Sequence, residues 1–261
     1  MTGRMRSPDS TVPDSIDGPA ESAAVAADWA AEPMRPSVIG LFPPGVCGAE
    51  LTDLSRRLPM WPNEREAVSR ASDARATEFA AGRHCARSAL GLLGHAAVGI
   101  PCLPTHAPGW PAGITGSLSH AAGYCGAVAA WRRQFGAVGF DVERRRSVSS
   151  AVLSEIASDS EVALLTRETS HAADDMPTVL FSAKESYYKA HHQAYGSELD
   201  FLDVAFRVVG PGTFEITHCD RSNVAAECST PRAGRFLIDA RHVFTAMAWQ
   251  LGRNPAARAA L

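Results

Sequence analysis

The chain has 261 residues, 46% of them hydrophobic, and its 25 Lys and Arg against 28 Asp and Glu leave a formal net charge of −3. That apolar share supplies a sizeable core for one domain or two small ones. The slightly acidic balance, with a pI of about 6.3, excludes a general affinity for nucleic acid.

Residues 1–37 are rich in Ala, Ser, Pro and Asp and poor in large apolar side chains. Such a segment has too little to bury and is expected to be a disordered extension. Its alanine run is interrupted by Glu21 and Asp28, so no secretory signal is expected. No apolar run is long enough to span a bilayer, and a cytoplasmic protein without membrane contact follows as the expectation. The remainder divides into two α/β halves, 38–145 and 146–261. In the first, a short strand is expected at Val38–Phe42, with helices at Cys47–Leu54 and over Asn63–Leu93. Strands follow at Gly116–His120, Tyr124–Trp131 and Ala137–Asp141. The second half opens with helices at Ser149–Ile156, Ser160–Thr169 and Pro177–Tyr195. It closes with strands at Asp203–Val209, Thr213–Cys219, Arg235–Asp239 and Val243–Gln250. Helices followed by mostly antiparallel strands read as an α+β fold. Cys47, Cys85, Cys102, Cys125, Cys219 and Cys228 show no C-x-x-C spacing, so neither a metal knuckle nor a disulfide framework is expected.

Four segments carry chemistry. In Glu78–Leu90, Phe79, Ala86 and Leu90 suit the core face of a helix, while Arg83 and Arg87 lie one turn apart. Such a pair repels unless an anion lies between, and an arginine fork matches phosphate. Trp110–His120 is glycine-rich and ends on Ser117, Ser119 and His120, polar groups that suit phosphate in a loop allowing close backbone approach. A lone histidine beside an apolar run is ordinarily structural. Ala137–Glu143 is a strand with Asp141 and Glu143 on one face and Val142 on the other. Phe181–Lys189 reads as a helix start, Ser182 in capping position with Glu185 three residues on. Glu185 and Lys189 then form an i,i+4 pair with the acid leading. Three carboxylates with no His or Cys cluster suit magnesium rather than zinc or copper, the remaining positions filled by phosphate and water. Taken singly, an Asp-x-Glu strand end and a Glu/Lys helix pair are ordinarily solvated surface.

Together these segments resemble the 4′-phosphopantetheinyl transferases, in the branch of enterobactin synthase component D within the Sfp-type superfamily. Val138-Gly139-Phe140-Asp141-Val142-Glu143 matches the family's Val-Gly-Ile-Asp-x-Glu block with Phe for Ile. Phe181-Ser182-Ala183-Lys184-Glu185-Ser186-Tyr187-Tyr188-Lys189 matches its Phe-Ser-x-Lys-Glu-Ser-x-x-Lys block. The Trp110–His120 and Glu78–Leu90 segments resemble its two upstream blocks, in family order. The resemblance implies two similar α/β halves related by a pseudo-two-fold, with coenzyme A bound between them. It implies transfer of phosphopantetheine from coenzyme A to a serine of an acyl or peptidyl carrier protein, serving siderophore, other secondary-metabolite or fatty-acid synthesis, by a monomer. By resemblance, Mg2+ is held by Asp141, Glu143 and Glu185. Glu185 takes the serine proton and Lys189 stabilises the leaving phosphate. Coenzyme A is contacted by Arg83, Arg87, Ser119, His120, Asp141, Lys184 and Lys189, with Arg75 beside them. Relatives carry a basic residue shortly before the Trp-Pro; Pro104–Gly109 has none, and His106 is the substitute at hand. Arg132-Arg133 and Arg144-Arg145-Arg146 flank the expected site and suit the acidic helices of carriers. Two other readings stay open: a different magnesium-dependent nucleotide phosphotransferase or hydrolase, and a non-catalytic relative that binds coenzyme A or carriers.

Overall fold

A computed structural model of the protein describes residues 32–121, 123–165, 173–218 and 232–251. The expected disordered extension lies outside these as far as residue 31. Its last residues take part in the fold: β1 (Glu32–Pro33) pairs with β2 (Val46–Leu51). The four-stranded first sheet has the order β1-β2-β4-β3, with β3 at Ile114–Ala121 and β4 at Tyr124–Trp131. The second sheet has the order β5-β9-β8-β7-β6. Its strands are β5 (Phe135–Arg144), β6 (Val204–Gly210), β7 (Thr213–His218), β8 (Arg232–Ile238) and β9 (His242–Gln250). Among the described residues all ladders are antiparallel. The helices are α1 (Pro36–Ile39), α2 (Pro62–Arg65), α3 (Asp73–Leu92), α4 (Ser150–Ile156), α5 (Asp159–Leu165) and α6 (Met176–Tyr195). The mixed α/β architecture agrees with the expected fold class.

Two local expectations are corrected. Val38–Phe42 contains no strand; Pro36 sits at the first position of α1, where its fixed φ favours a helical turn. Cys47–Leu54 contains no helix; Val46–Leu51 is drawn into the sheet by six register pairs with β4. Here sheet pairing overrides local propensity. The Asn63–Leu93 helical stretch is divided, because Ser72 caps a new helix by accepting a bond from the Arg75 amide at 3.3 Å. Residues 166–169 and Cys219, the ends of two expected elements, lie outside the described residues.

Strand alternation sorts the core. On β4, Cys125, Ala127 and Ala129 pack with Ala81, Cys85, Ala86 and Leu90 of α3. Tyr124, Val128 and Ala130 face the other way, toward Val138, Phe140 and Val142 of β5. The opposite face of β5 turns to α6, where Ala137 joins Val179, Ala183, Tyr187 and Ala190. Gly139 makes that approach possible: a Cβ there would overlap the Ser186 carbonyl oxygen of α6. At its far end α6 stops on Gly196, whose φ of 68° is the left-handed cap conformation.

The sheets meet along β3 and β5, each at an edge of its sheet. Side chains complete the junction. The Ser117 hydroxyl accepts from the Phe140 amide at 3.0 Å and stands 3.2 Å from the Phe140 carbonyl. Gln193 of α6 donates to the Val138 carbonyl at 2.8 Å, while its own carbonyl accepts from Thr115 at 2.6 Å and from the Gly116 amide at 3.1 Å.

Candidate active site

Asp141 lies on the β5 face that turns to α6 and is 2% exposed. Its Oδ1 accepts from Lys189 Nζ at 2.6 Å and from the Ser119 hydroxyl at 2.8 Å. Its Oδ2 accepts from the Ser182 hydroxyl at 2.7 Å. Lys189 also donates to Ser119 at 3.1 Å and to the Phe140 carbonyl at 3.3 Å. Strand β3, strand β5 and helix α6 thus converge on one carboxylate.

Glu143, two residues along β5, shares this field. Burial raises its carboxyl to about 7, repulsion from Asp141 and Glu185 adds to that, and Lys189 opposes it. Glu185 is likewise raised, first by burial and then by Asp141, against the pull of Lys189. Among the described residues no three His, Cys, Asp or Glu side chains form a ready-made metal cluster. The three carboxylates still fit a hard divalent cation. They are all oxygen donors, and neighbouring carboxylates disfavour ionisation of Glu143 and Glu185, which a dication relieves. Coordination by phosphate and water would complete such a site.

The segment Phe181–Lys189 is not a helix start. The helix begins at Met176, and Ser182 lies inside it, its hydroxyl turned to Asp141 rather than to a cap. Lys184 is not positioned to meet coenzyme A. It is fully buried, donates to the Ile156 and Phe201 carbonyls at 2.9 Å each, and pairs with Glu161 at 2.9 Å. One turn on, Lys189 keeps 29% of its side chain exposed beside Asp141. Of the two lysines, only Lys189 is at the carboxylates.

Ser119 and His120 point to opposite faces of β3. Ser119 reaches Asp141, whereas His120 lines a cavity of about 300 Å³ with Arg75, Glu78, Phe79, Arg83 and His106. At its edge, His120 Nε2 lies 3.0 Å from Glu78 and 3.2 Å from Arg75. Arg83 is 3% exposed, lies over the Phe79 ring at 4.2 Å, and has no hydrogen-bond partner at Nε. Burial lowers its guanidinium from the usual value, with Cys102 and Glu64 opposing. A buried, under-satisfied guanidinium facing a cavity suits an anion. Arg87 is different. Its anion is built into the fold: Nη1 reaches both oxygens of the fully buried Glu64, at 2.6 and 2.7 Å, and Nη2 holds the Pro59 carbonyl. The structure therefore brings Arg83 and His120 to the cavity and leaves Arg87 out of its lining.

The basic runs are also partly committed. Arg145 grips the fully buried Asp175 through Nε at 3.0 Å and Nη2 at 2.6 Å, anchoring the start of α6 to the end of β5. Arg146 pairs with Asp174 at 3.2 Å. Arg133 stacks on Trp131 at 4.4 Å. Ser182, Thr245, Gln193 and Glu64 were not legible as site residues. Two gave a cue: Ser182 by its place in the Phe-Ser-x-Lys-Glu block, and Gln193 as the next residue after Lys189 along the i+4 row of α6.

Comparison with known proteins shows the family. Residues 63–130 match the 4′-phosphopantetheinyl transferase N-terminal domain, and residues 137–245 match the 4′-phosphopantetheinyl transferase superfamily. The 4′-phosphopantetheinyl transferase Npt of Nocardia iowensis is 32% identical over 219 residues, covering 80% of this chain and 98% of that protein. Svp of Streptomyces mobaraensis, of the same name, is 39% identical over 160 residues, 59% of this chain and 64% of its own. PptT of Mycobacterium tuberculosis is 39% identical over 142 residues, 54% and 62% respectively. The chain belongs to the 4′-phosphopantetheinyl transferase family.

Proposed function

We infer that the chain is an enzyme that transfers 4′-phosphopantetheine from coenzyme A to a serine hydroxyl of a carrier protein. The observation that carries this is the convergence of Asp141, Glu143, Glu185 and Lys189 on one side of β5, beside a cavity that presents Arg83 and His120. In the reaction the serine oxygen forms a bond to the phosphorus that bears pantetheine. The P–O bond to the nucleotide half breaks, and adenosine 3′,5′-bisphosphate departs with the electron pair. Glu185, a carboxylate within electrostatic reach of Lys189 and Asp141, suits the role of base. Lys189 is a cation fixed at the edge of the cluster, suited to charge on the departing phosphate. Arg83 suits a phosphate of the nucleotide. Asp141, Glu143 and Glu185 would hold Mg2+, which when bound neutralises charge on the pyrophosphate. Action as a monomer is what the family resemblance implies. No helix among the described residues is long and apolar enough to cross a membrane.

The test is the intact mass of an apo carrier protein after incubation with this protein, coenzyme A and Mg2+. A gain of one phosphopantetheine, lost on adding EDTA, is the expected result. Consumption of coenzyme A with no dependence on the carrier would instead identify a hydrolase.

A further inference from the structure

Ser182 departs from the habit of serines inside helices. Such a hydroxyl commonly bonds back to a carbonyl of its own helix, and Ser186, one turn on, does so, donating to Ala183 at 2.9 Å. Ser182 instead crosses to Asp141 Oδ2 at 2.7 Å. Thr245 lies behind it, on β9, directly opposite Asp141 in the ladder. The Thr245 hydroxyl donates to the Ser182 carbonyl at 2.8 Å and stands 2.9 Å from the Ser182 hydroxyl. Both residues are fully buried, so water does not compete for these contacts.

Proton counting orders the chain. Two hydroxyl protons serve three contacts. The Asp141 oxygen takes the Ser182 proton, and the Thr245 proton goes to Ser182. A carboxylate offers about four acceptor positions. Lys189 and Ser119 occupy Oδ1 and Ser182 occupies one position on Oδ2. One position remains, on Oδ2, and Ser182 determines the direction in which it opens.

We propose that Ser182 and Thr245 are positioning residues for the divalent cation: together they set the rotation of the Asp141 carboxylate so that one Oδ2 position is presented to the metal. This rests on the function proposed above. Neither residue touches the metal or substrate; each acts through Asp141. Partners that orient a metal-ligating carboxylate typically alter metal affinity about 10–100-fold when removed.

The experiment uses the full chain and the variants Ser182→Ala, Thr245→Val and Thr245→Ser. Two quantities are read: the Mg2+ concentration giving half-maximal transfer to a carrier at saturating coenzyme A, and the Mn2+ dissociation constant of the coenzyme A complex by calorimetry. Ser182→Ala is expected to raise both by about tenfold or more, the range for such partners, with kcat at saturating Mg2+ little changed. Thr245→Val shifts both in the same direction by less, and Thr245→Ser, which keeps the hydroxyl, restores wild-type values. A lowered melting temperature with unchanged Mn2+ affinity would show a purely structural role and overturn the proposal. So would equal damage in Thr245→Ser and Thr245→Val. A wild-type protein that transfers nothing would overturn the function itself, and this inference with it; active wild type with metal-insensitive variants overturns only this inference.

Discussion

Two lysines one turn and a residue apart on the same helix have opposite fates, and the contrast shows what a motif leaves unsaid. Both Lys184 and Lys189 were expected to reach coenzyme A. Lys184 is consumed by the interior, paired with Glu161 under two backbone carbonyls. Removing one partner of a buried pair strands the other, at a cost of about 3–5 kcal/mol. Lys184→Ala is therefore expected to lower the melting temperature markedly, while coenzyme A affinity of the folded fraction by calorimetry stays near wild type. Glu185 lies on the working side. Glu185→Gln keeps its shape and is expected to slow transfer by about 10²–10⁴-fold, the usual contribution of a positioned base, without loss of stability. A fully active variant would remove the base assignment. Glu143 carries a pH signature. Its carboxyl is raised from 4.5 to about 7, so in this range the folded state binds its proton more tightly than the unfolded chain. That contribution is present in full below about pH 4.5 and is lost as pH rises through about 7. In EDTA, the melting temperature is expected to fall across this window more steeply than in Glu143→Gln; equal slopes would contradict it.

Among the secondary-structure elements, what was legible followed periodicity. The alternation in β5 sends Val138, Phe140 and Val142 into one core and Asp141 toward α6. It could be read because a strand's two faces are fixed by local geometry alone. The Cys47–Leu54 reading failed because a short apolar run is arbitrated by partners far along the chain, and the Val38–Phe42 reading because it passed over Pro36 at the helix start. Ser182 was mistaken for a cap for a related reason. Cap spacing is a local pattern, whereas its true partner, Asp141, is 41 residues away. The role of Gly139 in α6 packing needed the structure, since nothing local in Val-Gly-Phe demands close approach. Gly139→Ala forces its methyl against the Ser186 carbonyl. Overpacking of this kind costs about 1–3 kcal/mol, and because α6 carries Ser182, Glu185 and Lys189, transfer activity is expected to fall along with the melting temperature.

Across the whole molecule, neither sheet order nor the β3–β5 junction was legible, because both arise from contacts between distant segments. The family blocks supplied the residues of the site, but not the fact that Ser119 and His120 divide between the carboxylates and the cavity. The junction has a consequence for how the protein breathes. The Phe140 amide is held by a serine hydroxyl from the other sheet instead of a neighbouring strand's carbonyl. Its proton can exchange with solvent once Ser117 withdraws, even while both sheets stay intact. Amide exchange at this single position would then report separation of the sheets. Ligand that bridges the cavity and the carboxylates should slow it, while the Val128 amide, deep within the first sheet, changes little.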